Sequence, residues 1–134
     1  MSTTLCFDFG NTRRKVAVFN QSEIDKVIVL KDDSDETIQS LIDNYKPGKS
    51  ILSSVIDHNP EMEKLLAAKT RFHKLSHLTK LAFTTPVGKP ETIGADRLAL
   101  TAAAVYFYPT KHNLVIGLGS CITYNFINKY HELI

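Results

Sequence analysis

The chain has 134 residues, of which 43% are hydrophobic and 22% are charged. This length and composition predict one compact domain with a real hydrophobic core and are too small for two complete domains. The 16 basic and 14 acidic residues leave a formal charge of +2, and the longest basic run is Arg13-Arg14-Lys15. The sequence therefore lacks the basic patch of a nucleic-acid-binding protein and predicts small molecules or protein as partners.

The hydropathy pattern and the two cysteines predict the cellular compartment of the protein. No stretch approaches the ~20 apolar residues of a membrane span, and the chain leads into its first strand without a signal-peptide pattern. Cys6 and Cys121 have no spacing motif, which favours reduced thiols over a disulfide framework or a zinc site. We therefore expect a cytoplasmic protein with no membrane contact.

The chain opens with a strand, a polar turn and a second strand. An apolar run over residues 5–9 carries Asp8 and ends in Gly10, Asn11 and Thr12, and another apolar run follows. The pattern predicts a hairpin whose tip can cradle phosphate, because glycine lets the backbone approach a ligand and the two polar side chains offer hydrogen bonds. Asp8 can hold Mg²⁺ together with substrate phosphates. The alternative is an ordinary turn in which Asp8 and Asn11 cap the backbone.

The segment between this hairpin and residue 94 alternates strands and helices. Asn59-Pro60 predicts the start of a helix, because asparagine caps the first turn and proline fits the first helical position. The other predicted elements are a third strand over 27–30, a helix over 36–45, a strand over 50–56, short strands over 71–75 and 78–83, and a loop over 84–93. The five histidines, at positions 58, 73, 77, 112 and 131, are scattered and are interpreted as surface imidazoles.

A glycine-led turn, Gly94-Ala95-Asp96-Arg97, precedes an alanine-rich pattern that predicts a helix through about Tyr106. The helix macrodipole favours an ionised carboxylate in the first turn, so Asp96 is a candidate general base. Arg97 can hold a substrate carboxylate with two parallel hydrogen bonds beside that base. The alternative is structural, because an acid in a first turn stabilises many helices and neighbouring Asp and Arg side chains commonly form a solvated surface.

Residues 113–127 repeat the plan of the opening segment, with an apolar strand, a glycine turn carrying a hydroxyl, and a second strand. When the two turns are aligned, Gly119-Ser120 corresponds to Gly10-Asn11. Two such hairpins facing each other would grip a polyphosphate from both sides. We predict that residues 113–134 begin a second lobe similar to the first.

Three motifs in order, DFGNT at residues 8–12, GADR at 94–97 and GLGSCITYN at 117–125, together resemble the type III pantothenate kinases. That family belongs to the actin-like, sugar kinase and Hsp70 ATPase superfamily. The resemblance implies an α/β fold of two ribonuclease H-like lobes. It also implies ATP-dependent phosphorylation of pantothenate to 4'-phosphopantothenate, the first step of coenzyme A biosynthesis. Mg²⁺, a monovalent cation such as K⁺ or NH4⁺, and a homodimer are implied as well.

The resemblance implies roles for individual residues. Asp96 corresponds to the general base that acts on the pantothenate hydroxyl, and Arg97 corresponds to the arginine that contacts the pantothenate carboxylate. Gly94 and Ala95 complete the substrate-binding turn, and Asp8 corresponds to the metal-binding acid. The residues implied to bind ATP phosphate are Asp8, Gly10, Asn11, Thr12, Gly119 and Ser120.

The third motif departs from the family pattern. The family usually has Asp-x-Gly-Thr followed by a closing Asp, whereas this chain has Gly117, Ser120 and Asn125. The missing acid at position 117 predicts weak dependence on K⁺ or ammonium. With both acids missing, a non-catalytic regulatory or accessory nucleotide-binding protein is the alternative function. An aromatic residue that usually precedes the GADR loop is also absent, with Val87 near its place.

The predicted architecture is α/β. A ribonuclease H-like (actin-like ATPase) mixed sheet of about five strands with flanking helices occupies residues 1–112, and the first hairpin of the second lobe occupies residues 113–134. The remainder of that second lobe is absent from the sequence. Because a kinase site needs a closed cleft to exclude water, we expect the 134-residue chain to be inactive by itself.

Overall fold

The computed structural model describes residues 2–86 and 88–134, and Met1 and Val87 lie outside the described residues. The described elements in chain order are β1 (Thr3–Phe9), β2 (Arg14–Asn20), β3 (Glu23–Leu30), α1 (Asp35–Tyr45), β4 (Lys49–Ser54), α2 (Pro60–Lys69), β5 (Arg71–Lys74), a 3₁₀ helix (Pro90–Thr92), α3 (Ala95–Phe107), β6 (Asn113–Leu118) and β7 (Ile122–Ile127). None of the helices in this part of the chain is long and apolar enough to cross a membrane.

Five of the described strands form one mixed sheet in the order β3-β2-β1-β4-β5. β1, β2 and β3 pair antiparallel as a meander, and β4 and β5 extend the sheet in parallel. The predicted meander and the mixed sheet of about five strands are confirmed. Because β1 and β4 are parallel neighbours, the turn that follows β1 lies at the carboxyl ends of both strands.

The core of this sheet lies on one face of β1. Leu5, Phe7 and Phe9 are buried while Asp8 is exposed, because successive side chains of a strand point to opposite faces. The buried residues form one cluster with apolar side chains of α1 and α2. The rings of Phe7 and Phe9 meet edge to face, 6.0 Å apart between centroids, which is a favourable aromatic geometry. The alternation therefore places the carboxylate of Asp8 on the face opposite the core.

The start of α1 is held by a cluster of short polar side chains. Ser34 is the N-cap, and its Oγ accepts a hydrogen bond from the backbone N–H of Thr37 at 3.2 Å. The hydroxyl of Thr37, together with the backbone and hydroxyl of Ser34, donates to Asp32 and lowers the pKa of that carboxyl to about 2. Asp32 is therefore ionised at neutral pH.

The start of α2 confirms the prediction made from Asn59-Pro60. Asn59 Oδ1 accepts a hydrogen bond from the backbone N–H of Glu61 at 3.1 Å, and Pro60 takes the first helical position. Asn59 also donates to the neighbouring helix start, from its backbone N–H to Asp33 Oδ2 at 2.8 Å and from Nδ2 to Asp35 Oδ1 at 2.7 Å. One asparagine thus caps α2 and ties it to the beginning of α1.

The described chain divides into two compact units, one ending at Lys74 and one spanning Leu75–Ile134. In the second unit α3 packs on the antiparallel hairpin of β6 and β7. The buried core of this unit consists of Leu75, Phe83, Leu98, Val105, Ile127 and Leu133. The boundary falls after Lys74 because α3 buries its apolar face within the second unit. The assignment of residues 1–112 to one lobe and 113–134 to the next stays a prediction.

Residues 78–83 do not form the predicted strand. Ser76 and Thr79 close a turn instead, with Thr79 N–H donating to Ser76 O and Ser76 N–H donating to Thr79 Oγ1, each at 3.0 Å. These local hydrogen bonds override the apolar pattern of the segment. The described part of the predicted loop over 84–93 contains the short 3₁₀ helix.

Candidate functional site

The turn between β1 and β2 holds the first set of predicted site residues. Asp8 is exposed near the end of β1, and Asn11 and Thr12 are exposed in the turn. Gly10 N–H donates to Arg13 O at 3.0 Å and closes the turn. The hairpin is confirmed, and these polar side chains lie at its tip.

The fold itself does not require glycine at position 10. No described glycine has a positive φ, and a Cβ built on Gly10 would meet only Arg13 O at 3.7 Å, which is an ordinary contact. A side chain would instead fill the open space beside the turn. The missing Cβ is therefore consistent with the close approach of a ligand to the backbone.

β4 brings two serines beside this turn. Ser53 is the register partner of Asp8, and Ser54 is the register partner of Phe9. Ser53 is 8% exposed, and its Oγ has no hydrogen-bond partner among the described residues. Ser54 Oγ lies 2.9 Å from His58 Nδ1. The sequence pattern did not predict that these serines lie beside the turn, because a serine pair at the end of a strand is not a specific motif.

His58 is not the surface imidazole that the sequence suggested. Its side chain is 9% exposed and lies between Ser54 and Glu63, with Nε2 2.7 Å from Glu63 Oε2. Lys74 Nζ donates to the same carboxylate oxygen at 3.2 Å. Burial raises the pKa of Glu63, but the hydrogen bonds from His58 and Lys74 outweigh it, and the pKa is lowered from its ordinary value. This network fixes the loop between β4 and α2.

The second set of predicted residues, Gly94 to Arg97, forms the first turn of α3, with Gly94 as the N-cap. Asp96 Oδ1 accepts a hydrogen bond from the backbone N–H of Arg97 at 2.9 Å, which holds the carboxylate at the positive end of the helix. The partly buried Arg97 side chain donates from Nε to Asn125 Oδ1 on β7 at 2.6 Å. The predicted base and the predicted arginine therefore share one turn, and Asn125 holds the arginine in place.

The glycine turn of the third motif connects β6 and β7, with Gly119 and Ser120 exposed at its tip. Gly117 lies within the hairpin, in register with Thr123. A Cβ built on Gly117 would lie 2.5 Å from Thr123 Oγ1 and 3.1 Å from Leu100 Cδ1. An acid at position 117 therefore does not fit unless these neighbours move. The acid that the family pattern has at this position is absent from the sequence, and Thr123 and Leu100 occupy the space that its side chain would need.

We expect Gly117→Ala to lower the free energy of unfolding by about 1–3 kcal/mol, because the added methyl group overlaps Thr123 and Leu100. Gly119→Ala is the matched control, since a Cβ there meets only Cys121 O at 3.9 Å. It should change the free energy of unfolding by less than about 0.5 kcal/mol. Urea unfolding of both variants measures the difference. Equal stability would mean that the side chains of Thr123 and Leu100 move aside at little cost.

The two sets of predicted site residues lie in different compact units. Asp8 and its turn belong to the first unit, while Asp96, Arg97 and the third motif belong to the second. Within the described residues, no group of three or more His, Cys, Asp or Glu side chains is arranged to hold a metal ion. Asp8 suits the mode of Mg²⁺ binding in which one carboxylate acts together with substrate phosphates.

The mixed sheet, its flanking helices and these polar turns are consistent with a kinase of the actin-like ATPase type. A family model described as type III pantothenate kinase matches residues 4–134. The chain belongs to the type III pantothenate kinase family.

Relatives named type III pantothenate kinase support this membership. The one from Christiangramia forsetii is 41% identical, and the match covers 90% of this chain and 51% of the relative. The one from Bacteroides fragilis is 34% identical over 95% of this chain and 54% of the relative. The one from Flavobacterium johnsoniae is 32% identical over 93% and 52%. The chain thus spans about half the length of the curated relatives it matches.

Proposed function

We propose that this chain supplies half of a type III pantothenate kinase, which transfers the γ-phosphoryl group of ATP to the primary alcohol of pantothenate. The observation that carries the proposal is the first turn of α3, where Asp96 accepts from the Arg97 backbone and Asn125 holds the Arg97 side chain. The family match over residues 4–134 supplies the substrate class. The comparisons do not favour a non-catalytic accessory protein, since the relatives above carry the name of the enzyme.

The acceptor side of the reaction is assigned to the first turn of α3. Phosphoryl transfer rests mainly on positioning and charge stabilisation, so few side chains take part directly. Asp96 is the base that accepts the proton of the pantothenate hydroxyl. Arg97 binds the pantothenate carboxylate, and Gly94 and Ala95 supply backbone N–H groups at the start of the helix.

The nucleotide side is assigned to the two glycine turns. Mg²⁺ would be held by Asp8 and, when bound, neutralises charge on the phosphates. The side chain of Asp8 is exposed at the carboxyl end of β1, where such a contact is sterically open. The residues assigned to ATP phosphate are Asp8, Gly10, Asn11, Thr12, Gly119 and Ser120.

A chimeric kinase tests the proposal. Residues 1–134 of this chain are joined to the part of the Christiangramia forsetii relative that lies beyond its match to this chain. A coupled assay follows ADP release with and without pantothenate. We expect pantothenate-dependent ADP release from the chimera and none from the 134-residue chain alone, because the closed cleft needs both halves.

Two outcomes would count against this function. A folded chimera that releases no ADP, or that releases ADP at the same rate without pantothenate, overturns the kinase assignment. A chimera that becomes active only with Gly117→Asp and Asn125→Asp together favours the regulatory or accessory alternative, because the two missing acids would then be what prevents catalysis.

We expect ADP release by the chimera to change little when K⁺ or NH4⁺ replaces Na⁺ at constant ionic strength. Gly117 offers no carboxylate, and Thr123 and Leu100 fill the space that a side chain would need. The residues of this chain therefore do not fit a monovalent cation at that position. Parallel assays in chloride salts of the three cations measure the effect, with the Gly117→Asp chimera for comparison. Steep activation by K⁺ over Na⁺ in the unaltered chimera would contradict the prediction.

The other proposals follow from family membership. Residues 1–112 belong to the first ribonuclease H-like lobe, and residues 113–134 open the second. The complete enzyme is a cytoplasmic homodimer. Sedimentation of the chimera measures its oligomeric state, and a monomer at high concentration would speak against the dimer.

A further inference from the structure

Asn125 lies on the inner face of β7 and is 1% exposed. Its Oδ1 accepts the hydrogen bond from Arg97 Nε at 2.6 Å. A guanidinium group only donates hydrogen bonds, so the carbonyl oxygen of the amide must face Arg97. The orientation of the Asn125 amide is therefore set by its partner, and its NH2 group is left for another acceptor.

The amide nitrogen of Asn125 is buried and has no hydrogen-bond partner in the described part of the chain. The great majority of buried polar groups in proteins are paired, because an unpaired donor loses its hydrogen bonds to water without compensation. Among the three buried side-chain atoms without a partner in the described residues, this one lies next to the arginine already assigned to substrate. A buried, unsatisfied donor in that position indicates a place that a ligand completes.

The Arg97 guanidinium has no acidic partner in the described part of the chain. The Asn125 amide is neutral, and none of the ion pairs in the described residues includes Arg97. An acid at position 125 would turn the same hydrogen bond into a salt bridge and would neutralise the guanidinium. The other N–H groups of Arg97 and the NH2 group of Asn125 can only donate hydrogen bonds, and donors beside a guanidinium suit an oxyanion.

We propose that Asn125 is a specificity-determining residue of the acceptor site. Its Oδ1 orients Arg97, and its Nδ2 donates to the same substrate carboxylate that Arg97 binds. This inference rests on the proposed function, which makes pantothenate the acceptor. A phosphate group presents similar oxygen acceptors, so the experiment must separate the two. The amide at position 125 then takes part in substrate binding, at a position where the family usually has an acid.

The test follows two side-chain signals by NMR in the ¹⁵N-labelled 134-residue chain. They are the Arg97 Nε–H and the Asn125 NH2 resonances. We expect millimolar pantothenate to shift both, and pantothenyl alcohol, in which CH2OH replaces the carboxylate, to shift neither. Inorganic phosphate offers similar oxygens but lacks the rest of the substrate, so at the same concentration it should shift both signals less than pantothenate does. Shifts with phosphate but not with pantothenate overturn the carboxylate assignment, and no shift with any of the three overturns the proposal.

Asn125→Asp should weaken pantothenate binding by about tenfold or more, because it neutralises Arg97 and replaces a donor with an acceptor. Asn113→Asp is the matched control. It adds the same charge to the same hairpin, at a side chain whose hydrogen bonds go to the local backbone of Tyr108 and Lys111. We expect its Kd for pantothenate to equal that of the wild type. An unchanged Kd in Asn125→Asp overturns the proposal.

Arg97→Lys provides a second variant if Asn125→Asp fails to fold. Lysine keeps the charge but lacks the planar group that donates to Asn125 and to a carboxylate at once. The Asn125 NH2 resonances should then no longer respond to pantothenate, and a response of wild-type size would overturn the proposal.

The experiments distinguish failure of the proposed kinase function from failure of the proposed role of Asn125. An inactive chimera with intact pantothenate shifts removes the kinase function alone, whereas an active chimera with an unchanged Kd in Asn125→Asp removes the role of Asn125 alone.

Discussion

Asp96→Asn is expected to lower kcat of the chimeric kinase by about 10²- to 10⁴-fold, because the substitution removes the proposed proton acceptor. The amide keeps an oxygen that can accept the Arg97 N–H, as the carboxylate does at 2.9 Å. The start of α3 should therefore lose at most about 1 kcal/mol of capping and dipole energy. The coupled ADP assay measures kcat, and urea unfolding measures the stability of the variant.

Glu91→Gln is the control for this substitution. Glu91 is an exposed acid in the 3₁₀ helix that precedes α3, so the same acid-to-amide change there should leave kcat unaltered. Arg97→Ala should act mainly on KM, because the pantothenate carboxylate loses its bidentate partner. If Asp96→Asn kept more than about a tenth of the wild-type kcat, the loss would be smaller than general-base catalysis normally supplies. Asp96 would then be a residue that stabilises the helix start.

Leu98→Ala is expected to lower the free energy of unfolding of the second unit by about 2–5 kcal/mol. Leu98 is 1% exposed and belongs to the small core that joins α3 to β7. A unit of about 60 residues has a total stability of roughly 3–9 kcal/mol. The variant should therefore lose much of the folded population of this unit. Hydrogen exchange measured separately for α3, β7 and the strands of the first unit locates the effect.

Leu78→Ala is the matched control in the same unit. Leu78 is 82% exposed, so the same truncation there removes little buried surface and should cost less than about 1 kcal/mol. Faster exchange confined to α3 and β7 in Leu98→Ala is the expected result. Equal exchange in the two variants would show that Leu98 does not organise the core of the unit.

The elements that could be predicted carry their signals in adjacent residues. The alternation of Leu5, Phe7 and Phe9 with Asp8 defines a half-buried strand, because strand side chains point to alternate faces. Asn59-Pro60 defines a helix start, because the cap and the fixed proline φ act within one turn. Such features depend on local geometry, and the structure has them where the sequence places them.

The features that could not be predicted depend on hydrogen bonds and packing contacts that an apolar pattern does not show. Residues 78–83 have the apolar character of a strand, but the turn closed by Ser76 and Thr79 removes them from any sheet. The division after Lys74 depends on the packing of α3 against the β6-β7 hairpin. A periodic pattern shows that a face is buried but does not show what buries it.

The candidate site likewise has features that could be predicted from the sequence and features that could not. The residue types of its turns could be predicted, whereas the contact between Arg97 and Asn125 joins residues 28 positions apart and has no local signal. The buried imidazole of His58 is different, because Ser54 and Glu63 lie four and five positions from it. Hydrogen-bonding side chains so near a histidine in the sequence are a local signal that its imidazole is held in place.

The position of β1 between an antiparallel and a parallel neighbour has a consequence for the order of folding. β1 meets β2 across the four residues 10–13, whereas its parallel partner β4 begins only at Lys49. Hairpins form in about 1–10 μs, and pairing across a long intervening segment is slower because more chain entropy must be lost first. We therefore expect the turn that carries Gly10, Asn11 and Thr12 to form early, while β4 is still unpaired. This turn is then made by the first 20 residues of the chain, and Ser53 reaches the side of Asp8 only in a later step.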